Sequence, residues 1–359
     1  MKNHRIEWID IARGIAILFV IIGHSLGNYF SSYFSNLIYV FHMPIFFVLS
    51  GYLYKEKKKS KFLKNSFFNL IMPYIGTVLI AFVLFTIYKF HNNPIIAPSR
   101  VNTYEQLSVS ALYGIGASAK LPLINYSIIP IGAIWFLLAF FIGTQLFNII
   151  MTLKFNSNDL LMKGVIISCF TFLGTYLQTY IYLPWSINAA LFSQIFFFAG
   201  YLLKKKSILR TKSKIAILVA TMIWLMTATI GLFGLDNLQF PNMYLAIVGG
   251  CASSYLVIKL SMLLDDFWKL KSLKKVLCFF GAESLCIFCF HLIDLDFIQI
   301  WPRVLNHVLQ LSNSYFLAIV AGIVYRILFA AIATLIVKYI PIVRSFYMHR
   351  KYNFIKNKI

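Results

Sequence analysis

The sequence predicts an all-α fold: a polytopic transmembrane helix bundle of about ten spans, with both termini on the inner side of the membrane. Three observations carry this prediction. Hydrophobic residues make up 60% of the chain, charged residues only 12%, and long apolar stretches recur from end to end. Because soluble domains carry about 25% charged residues, a soluble globular fold is excluded. The length of 359 residues accommodates ten crossings of about 20 residues with short loops.

Ten apolar segments have about the length of a bilayer crossing. These are residues 9–28, 37–54, 68–88, 131–153, 161–181, 187–203, 215–233, 243–264, 276–295 and 315–337. Most of the 33 Lys and Arg residues lie in alternate connecting segments, whereas the other connections hold only Lys89, Arg100, Lys120 and Arg303. Because basic residues favour the inner side, the N- and C-termini are both predicted inside. The formal charge of +22 is then explained by inner loops that contact anionic lipid, and no nucleic-acid partner is expected.

The connection 91–130 is the one long outer segment, and it is too polar to span. We predict a short interfacial helix at 103–113 and expect the loop to cover the outer mouth of the bundle. No separate soluble domain is expected, so residues 1–359 are predicted to form a single transmembrane domain.

The first span carries ionisable residues inside an apolar run: Asp10, Arg13 and His24. Such groups are costly in a bilayer and are usually paired or functional. Arg13 and His24 are eleven positions apart, which places them about three turns apart and within about 20° of one helix face. Asp10 lies three residues before Arg13, so the two can neutralise each other.

Three histidines from three spans are predicted at a similar depth in the outer third of the membrane: His24, His42 and His291. Glu283 and Arg326 are predicted deeper, and an ion pair between them is the simplest way to bury both charges. Binding of a phosphorylated donor by Arg326 is the alternative.

Asp294 and Asp296 follow His291 in a His-x-x-Asp-x-Asp pattern. A metal site is conceivable there, but carboxylates at an outer helix end are more often solvated. We therefore expect these two to be solvated and expect no metal.

Several motifs carry a resemblance to a known family. They are Arg13 and His24 separated by ten residues, the run Phe41-His42-Met43-Pro44 through Ser50-Gly51-Tyr52, the element Trp135-Phe136-Leu137, and Gly281-Ala-Glu-Ser-Leu followed by His291. Together they resemble the membrane acyltransferase-3 family, in particular its fucose-4-O-acetylase-like branch of bacterial surface-glycan O-acetyltransferases. The chain departs from the family in one place: Leu292 stands where a proline often follows the late histidine. Trp135 is equally interpretable as an aromatic anchor at the membrane interface.

The resemblance implies an O-acyltransferase in a bacterial cell membrane. It would move an acetyl or other short acyl group from cytoplasmic acyl-CoA to a hydroxyl of a cell-surface or lipid-linked glycan. The expected partners are acyl-CoA, the glycan acceptor and membrane lipid; no tightly bound cofactor is expected, and a homo-oligomer is compatible with the sequence.

The implied site residues fall into three roles. His24 is expected to act as a general base, or to carry the acyl group transiently, with His42 and His291 beside it in catalysis. Arg13 and Arg326 are expected to bind the donor phosphates. Asp10, Ser50, Trp135, Glu283 and Ser284 are expected to position these groups or the substrate.

A transporter or flippase of a lipid-linked glycan, without covalent chemistry, is the alternative function. Such a protein would also have ten spans and buried charges. Broken helices in two symmetric halves would favour it, and the sequence shows no such symmetry.

Overall fold

The computed structural model describes residues 6–26, 32–91, 93–121, 126–267, 270–348 and 352. The end of the first predicted span (27 and 28), Pro122 of the long loop and most of 349–359 lie outside this description. The described α-helices are α1 (Glu7–Leu26), α2 (Ser32–Phe41), α3 (Pro44–Tyr52), α4 (Lys59–Ser66), α5 (Met72–Phe90), α6 (Tyr104–Tyr113), α7 (Trp135–Thr152), α8 (Asp159–Gln178), α9 (Ile187–Phe192), α10 (Gln194–Lys205), α11 (Lys214–Ile230), α12 (Met243–Asp266), α13 (Lys271–Ala282), α14 (Ser284–Phe297), α15 (Ile300–Ser312), α16 (Tyr315–Val337) and α17 (Pro341–Tyr347). The described strands are β1 (Ala119–Leu121) and β2 (Tyr126–Ile128), paired antiparallel.

The helices confirm the all-α polytopic prediction. Among the described residues, seven helical stretches are long and apolar enough to cross a membrane, and two interrupted helix pairs raise the number to nine. The helix α11 is also apolar but has only 17 residues. Each of the ten predicted spans therefore corresponds to a helix, a continuous run of helices or an interrupted pair. The inside placement of the two termini stays a prediction.

The predicted outer loop contains no helix of spanning length among its described residues. The predicted short helix is confirmed as α6, whose N-terminus is capped by the Thr103 side chain accepting from the backbone N–H of Gln106. Gly114 ends the helix in the left-handed conformation (φ 66°), which glycine adopts without steric cost. The β1–β2 hairpin after it was not predicted, because two three-residue strands leave almost no periodic signal.

The chain divides into two compact units, each assembled from separate segments. The first unit comprises 1–55, 160–171 and 193–284, and the second comprises 56–159, 172–192 and 285–359. The prediction of one domain over the whole chain is not tested by this division and stays a prediction.

Glycines set the closest helix crossings of the first unit. Gly14 of α1 lies against the Leu277 carbonyl of α13, and Gly281 lies against the Asp10 carbonyl, so a Cβ at either glycine would overlap backbone atoms. Gly51 of α3 and Gly200 of α10 face each other's backbones in the same way. Within a bilayer the hydrophobic effect does not drive helices together. Small residues stabilise such helix pairs because they allow close van der Waals contact.

The core of the second unit joins the outer segment to its long helices. One cluster packs Phe85 of α5 with Leu107 of α6 and Phe297 of α14. Another packs Ile115 with the hairpin residues Ala119 and Ile128. The outer segment is therefore part of the packed fold of this unit.

Candidate active site

The helix α1 shows two exposed faces of different chemistry. Trp8, Ile15, Phe19 and Ile22 form a partly exposed apolar stripe, as expected for a lipid-facing side at 100° per residue. Arg13 and His24 lie on the opposite side of the helix and are also partly exposed. Their neighbours on that second side, Ile17 and Val20, are 1% exposed. The two polar side chains are thus partly exposed on a face that is otherwise buried.

Arg13 and His24 form a polar stripe along α1. At the N-terminal end of this polar stripe, Arg13 forms an ion pair with Asp10 beside the α1–α13 crossing. Arg13 Nη1 lies 4.0 Å from Asp10 Oδ1, and the Arg13 side chain is 33% exposed against 6% for Asp10. Gly281 presses on the Asp10 carbonyl, so the α13 backbone fixes the turn that carries the pair. Asp10 can therefore orient the partly exposed Arg13 side chain.

His42 lies in a break between α2 and α3. Pro44 is the first residue of α3 and cannot continue a helix from the preceding turn, because its ring clashes with that turn and its N–H is missing. The His42 ring is buried, with Nδ1 3.0 Å from the Ile38 carbonyl and a T-shaped contact with the Tyr39 ring, whose centre lies 4.8 Å from its own. Since a carbonyl only accepts, Nδ1 carries the proton, and Nε2 of a neutral ring is the basic nitrogen.

The C-terminal end of the polar stripe packs near the last turn of α2, which precedes His42. A Cβ at Gly23 would lie 3.2 Å from the Ile38 side chain and 3.4 Å from the Tyr39 ring. Gly23 directly precedes His24, whereas Ile38 accepts the His42 hydrogen bond. The turn of α1 that carries His24 therefore packs near the turn of α2 that precedes His42, and the shared membrane depth of the histidines stays a prediction.

The remaining predicted residues of the first unit have different surroundings. Ser50 is half-buried on α3, directly before the glycine that contacts α10. Glu283 is buried between α13 and α14, and its backbone N–H donates to the Phe279 carbonyl. Ser284, the first residue of α14, is half-buried.

Trp135, at the start of α7, belongs to the second unit and is 4% exposed. Its indole ring lies against Gly116, where a Cβ would overlap the ring. A membrane-interface anchor would present its ring to lipid, so this alternative interpretation of Trp135 is wrong. The tryptophan is instead an internal packing residue beneath the outer segment.

His291 lies on α14 and is fully buried. One turn before it, Phe288 makes an edge contact with Phe136 of α7 at 5.8 Å. One turn after it lies Asp294. The N-terminus of α7 and the segment of α14 that carries His291 therefore form one cluster within the second unit.

Arg326 forms an ion pair that the sequence analysis did not predict. Its Nε lies 3.2 Å from Asp294 Oδ2, and its guanidinium lies 4.4 Å from the centre of the Trp301 ring. The predicted pairing with Glu283, which belongs to the first unit, stays a prediction. With 4% of the residue exposed, Arg326 offers little of its surface to a donor phosphate.

The expectation that Asp294 and Asp296 are solvated is wrong: they are 0% and 5% exposed. Each aspartate forms an ion pair with an arginine: Asp294 with Arg326, and Asp296 with Arg100, whose Nε lies 2.7 Å from Asp296 Oδ1. Sequence reasoning missed this because arginines far along the chain neutralise the carboxylates. The His-x-x-Asp-x-Asp pattern was a signal for Asp294; nothing local in the sequence identified Arg100.

Within the described part of the chain, no three His, Cys, Asp or Glu residues are arranged to hold a metal ion. The predicted site residues are divided between the two units. The first unit holds Asp10, Arg13, His24, His42, Ser50, Glu283 and Ser284, and the second holds Trp135, His291 and Arg326.

Comparison with known proteins gives a family. A family model described as an acyltransferase domain, acyltransferase-3, matches residues 6–335. The nodulation protein NolL of Sinorhizobium fredii is 39% identical over 59 residues, which is 14% of this chain and 16% of that protein. No solved structure is significantly similar to the chain. Since the family match covers nearly the whole sequence, the chain belongs to the acyltransferase-3 family of membrane acyltransferases.

Proposed function

We propose that this protein transfers a short acyl group, acetyl in the first instance, from acyl-CoA to a hydroxyl of a cell-surface or lipid-linked glycan. One observation supports this more than any other. Arg13 and His24 keep partial exposure on the otherwise buried face of α1, so a cation and an imidazole are accessible along one line, about 16 Å apart. A membrane acyltransferase needs such a line, because its donor and acceptor approach from opposite sides.

The roles of the residues follow from their chemistry. Arg13, held by Asp10, binds the donor phosphates, since a guanidinium forms two-pronged hydrogen bonds with phosphate oxygens. The basic segments 55–64 and 204–214 add positive charge on the predicted inner side. No tightly bound cofactor is required, because acyl-CoA is consumed as a substrate.

The transfer itself needs a base at the outer end of the polar stripe. His24 takes the proton of the acceptor hydroxyl while the hydroxyl oxygen attacks the thioester carbonyl. The carbon–sulfur bond then breaks, CoA leaves as the thiolate, and the proton passes to it, giving the ester and free CoA. His42, Ser50 and His291 orient the acceptor or stabilise the oxyanion.

The finer assignment rests on the resemblance of the motifs. The fucose-4-O-acetylase-like branch suggests a sugar hydroxyl as the acceptor and a bacterial cell membrane as the location. Trp135, Glu283 and Ser284 are proposed to support the arrangement of the site.

The test compares surface-glycan O-acetyl content, by proton NMR, in cells lacking the gene and in cells complemented with wild type or His24→Ala. Membrane levels of the two proteins are matched. We expect wild type to restore the acetyl signal and His24→Ala to lower the rate about 10²–10⁴-fold, the usual loss for a general base. Full restoration by His24→Ala would refute the assignment of the base.

Two other outcomes address the function itself. If surface glycan disappears without the gene while its acetylation does not depend on the gene, the transporter or flippase is the better explanation. If neither changes, radiolabelled propionyl-, butyryl- and succinyl-CoA are offered to membranes containing the protein. Absence of transfer from each of them would overturn the acyltransferase proposal.

A further inference from the structure

We infer that Asp294, Asp296, Tyr325, Arg326 and Arg100 form a network that positions the end of α14, and with it His291, for acyl transfer. These are positioning residues that act through the helix. The inference rests on the proposed function, and it gives Arg326 a role different from donor binding.

The contacts of Asp294 in this network join α14 to α16. Asp294 accepts a hydrogen bond from the Tyr325 hydroxyl at 2.7 Å through Oδ1 and pairs with Arg326 through Oδ2. Both carboxylate oxygens are therefore used by adjacent residues of one helix. His291 lies three residues before Asp294, on a neighbouring part of the same helix face. Whatever holds the Asp294 carboxylate also limits the movement of the histidine.

Trp301 of α15 packs against the arginine of this ion pair. Its ring lies over the Arg326 guanidinium at 4.4 Å and against Gly322, one helical turn earlier, where a Cβ would crowd the indole nitrogen. The absence of a side chain at Gly322 lets the ring lie flat on α16. The pair is thereby shielded from water, which strengthens the attraction between its charges.

The outer part of the network fixes α14 to the segment 94–100. Arg100 pairs with Asp296, whose carboxylate also lies against Gly132, just before α7. The backbone N–H groups of Ala97 and Ser99 donate to the carbonyls of Phe297 and Asp296, at 3.0 and 2.9 Å. The end of α14 is thus held to this segment by a side-chain ion pair and by backbone hydrogen bonds.

A buried charge that loses its partner is strongly destabilising. Each buried carboxylate therefore favours the one arrangement in which its ion pair with an arginine is kept. Two aspartates two residues apart, each tied to a different element, leave the end of α14 little freedom. A residue that binds a donor would need the opposite: a guanidinium with an open face. Arg326 is buried in this network, whereas Arg13 is the partly exposed arginine of the two proposed to bind the donor.

The main test is Tyr325→Phe, which removes one hydrogen bond to Asp294 without changing charge. Radiolabelled acetyl-CoA is the donor, and envelope membranes from cells lacking the gene are the acceptor. We expect kcat to fall about 10-fold, as for the loss of one hydrogen bond to a charged group, with the KM for acetyl-CoA unchanged. The matched control is Tyr315→Phe, an exposed tyrosine of the same helix, which should change neither constant.

A second pair of variants tests Arg326 itself. Arg326→Gln alone leaves Asp294 buried without its cation and should accumulate poorly, whereas Asp294→Asn with Arg326→Gln removes both charges and should accumulate in the membrane. We expect the double variant to keep the wild-type KM for acetyl-CoA and to lose kcat. If the KM for acetyl-CoA instead increases at least about 10-fold while kcat is kept, Arg326 binds the donor. That result would overturn the inference.

A readout without catalysis separates this inference from the proposed function. Hydrogen exchange of the Ala97 and Ser99 amides is compared in wild type and Arg100→Gln, and we expect faster exchange in the variant. If wild type transfers no acyl group, the proposed function fails, and unchanged exchange in Arg100→Gln would refute the network separately.

Discussion

Replacing Gly281 with alanine should damage both the stability and the activity of the protein. In the structure Gly281 of α13 lies against the Asp10 carbonyl of α1, and its added Cβ would overlap the backbone there. The obstacle is backbone, which cannot rotate away as a side chain does, so the two helices must separate. Overpacking of this kind typically costs about 1–3 kcal/mol.

Gly281→Ala should lower the Tm and raise the KM for acetyl-CoA. At about 2.1 cal/mol/K per residue, the 359 residues give an unfolding entropy of about 0.75 kcal/mol/K, so a loss of about 2 kcal/mol predicts a decrease of about 3 °C in Tm. Activity should fall further than stability explains, because Asp10 is the ion-pair partner of Arg13. Donor binding should weaken, seen as a higher KM for acetyl-CoA.

The assay measures Tm in detergent and acyl transfer in membranes for Gly281→Ala, with Gly164→Ala as the matched control. Gly164 lies in the same unit, and a Cβ there would lie 3.3 Å from the end of the flexible Phe198 ring, which can shift. An unchanged Tm and KM in Gly281→Ala would refute the reasoning that backbone contact at this crossing positions Arg13.

Three further predictions concern His42 and Arg13 of the first unit and Gly116 of the second. His42→Ala should lower the stability by about 1–3 kcal/mol as well as the rate, because it removes the buried hydrogen bond to Ile38; a large loss of rate at wild-type Tm would contradict this structural share. Arg13→Lys should raise the KM for acetyl-CoA about 10-fold while keeping kcat, since an ammonium lacks the planar fork; an unchanged KM in initial-rate measurements would argue against donor binding. Gly116→Val should displace Trp135 and quench or shift tryptophan fluorescence, with lower transfer; a wild-type spectrum in the variant would show that this contact is dispensable.

The arrangement of the second unit gives the long outer segment a defined place in the fold. Ile96 bridges to Ile298, and Tyr113, from the end of α6, donates its hydroxyl proton to the Tyr182 carbonyl at 2.7 Å. Ser186 likewise donates to the Gly114 carbonyl at 3.0 Å. The segment is built into this unit by both backbone and side-chain hydrogen bonds, so shortening it should destabilise the unit.

Ten spans were predicted, and among the described residues seven to nine helical stretches are long and apolar enough to cross a membrane. The sequence alone determined the all-α transmembrane class and the polar stripe of α1. These follow from composition and from the helical period, which are local properties: eleven residues fix the relation of Arg13 to His24 wherever the helix packs. The Asp10–Arg13 pair, three residues apart, was predictable for the same reason. So was the short helix at 103–113, whose cap residue and apolar spacing are contained in the segment itself.

Other features depended on residues far apart in the chain. The partners of Asp294 and Asp296 lie 32 and 196 positions away, and only packing brings these charges together, which is why both carboxylates were expected in solvent. Trp135 is a residue type that often anchors a helix at the membrane interface, but in the structure Gly116 of the folded outer segment packs against its ring. The glycine crossing at Gly14 and Gly281 is likewise invisible in either helix alone. Sequence period specifies which face of a helix is polar; tertiary contacts decide which helix meets that face, because burial energy depends on the neighbours each side chain finds.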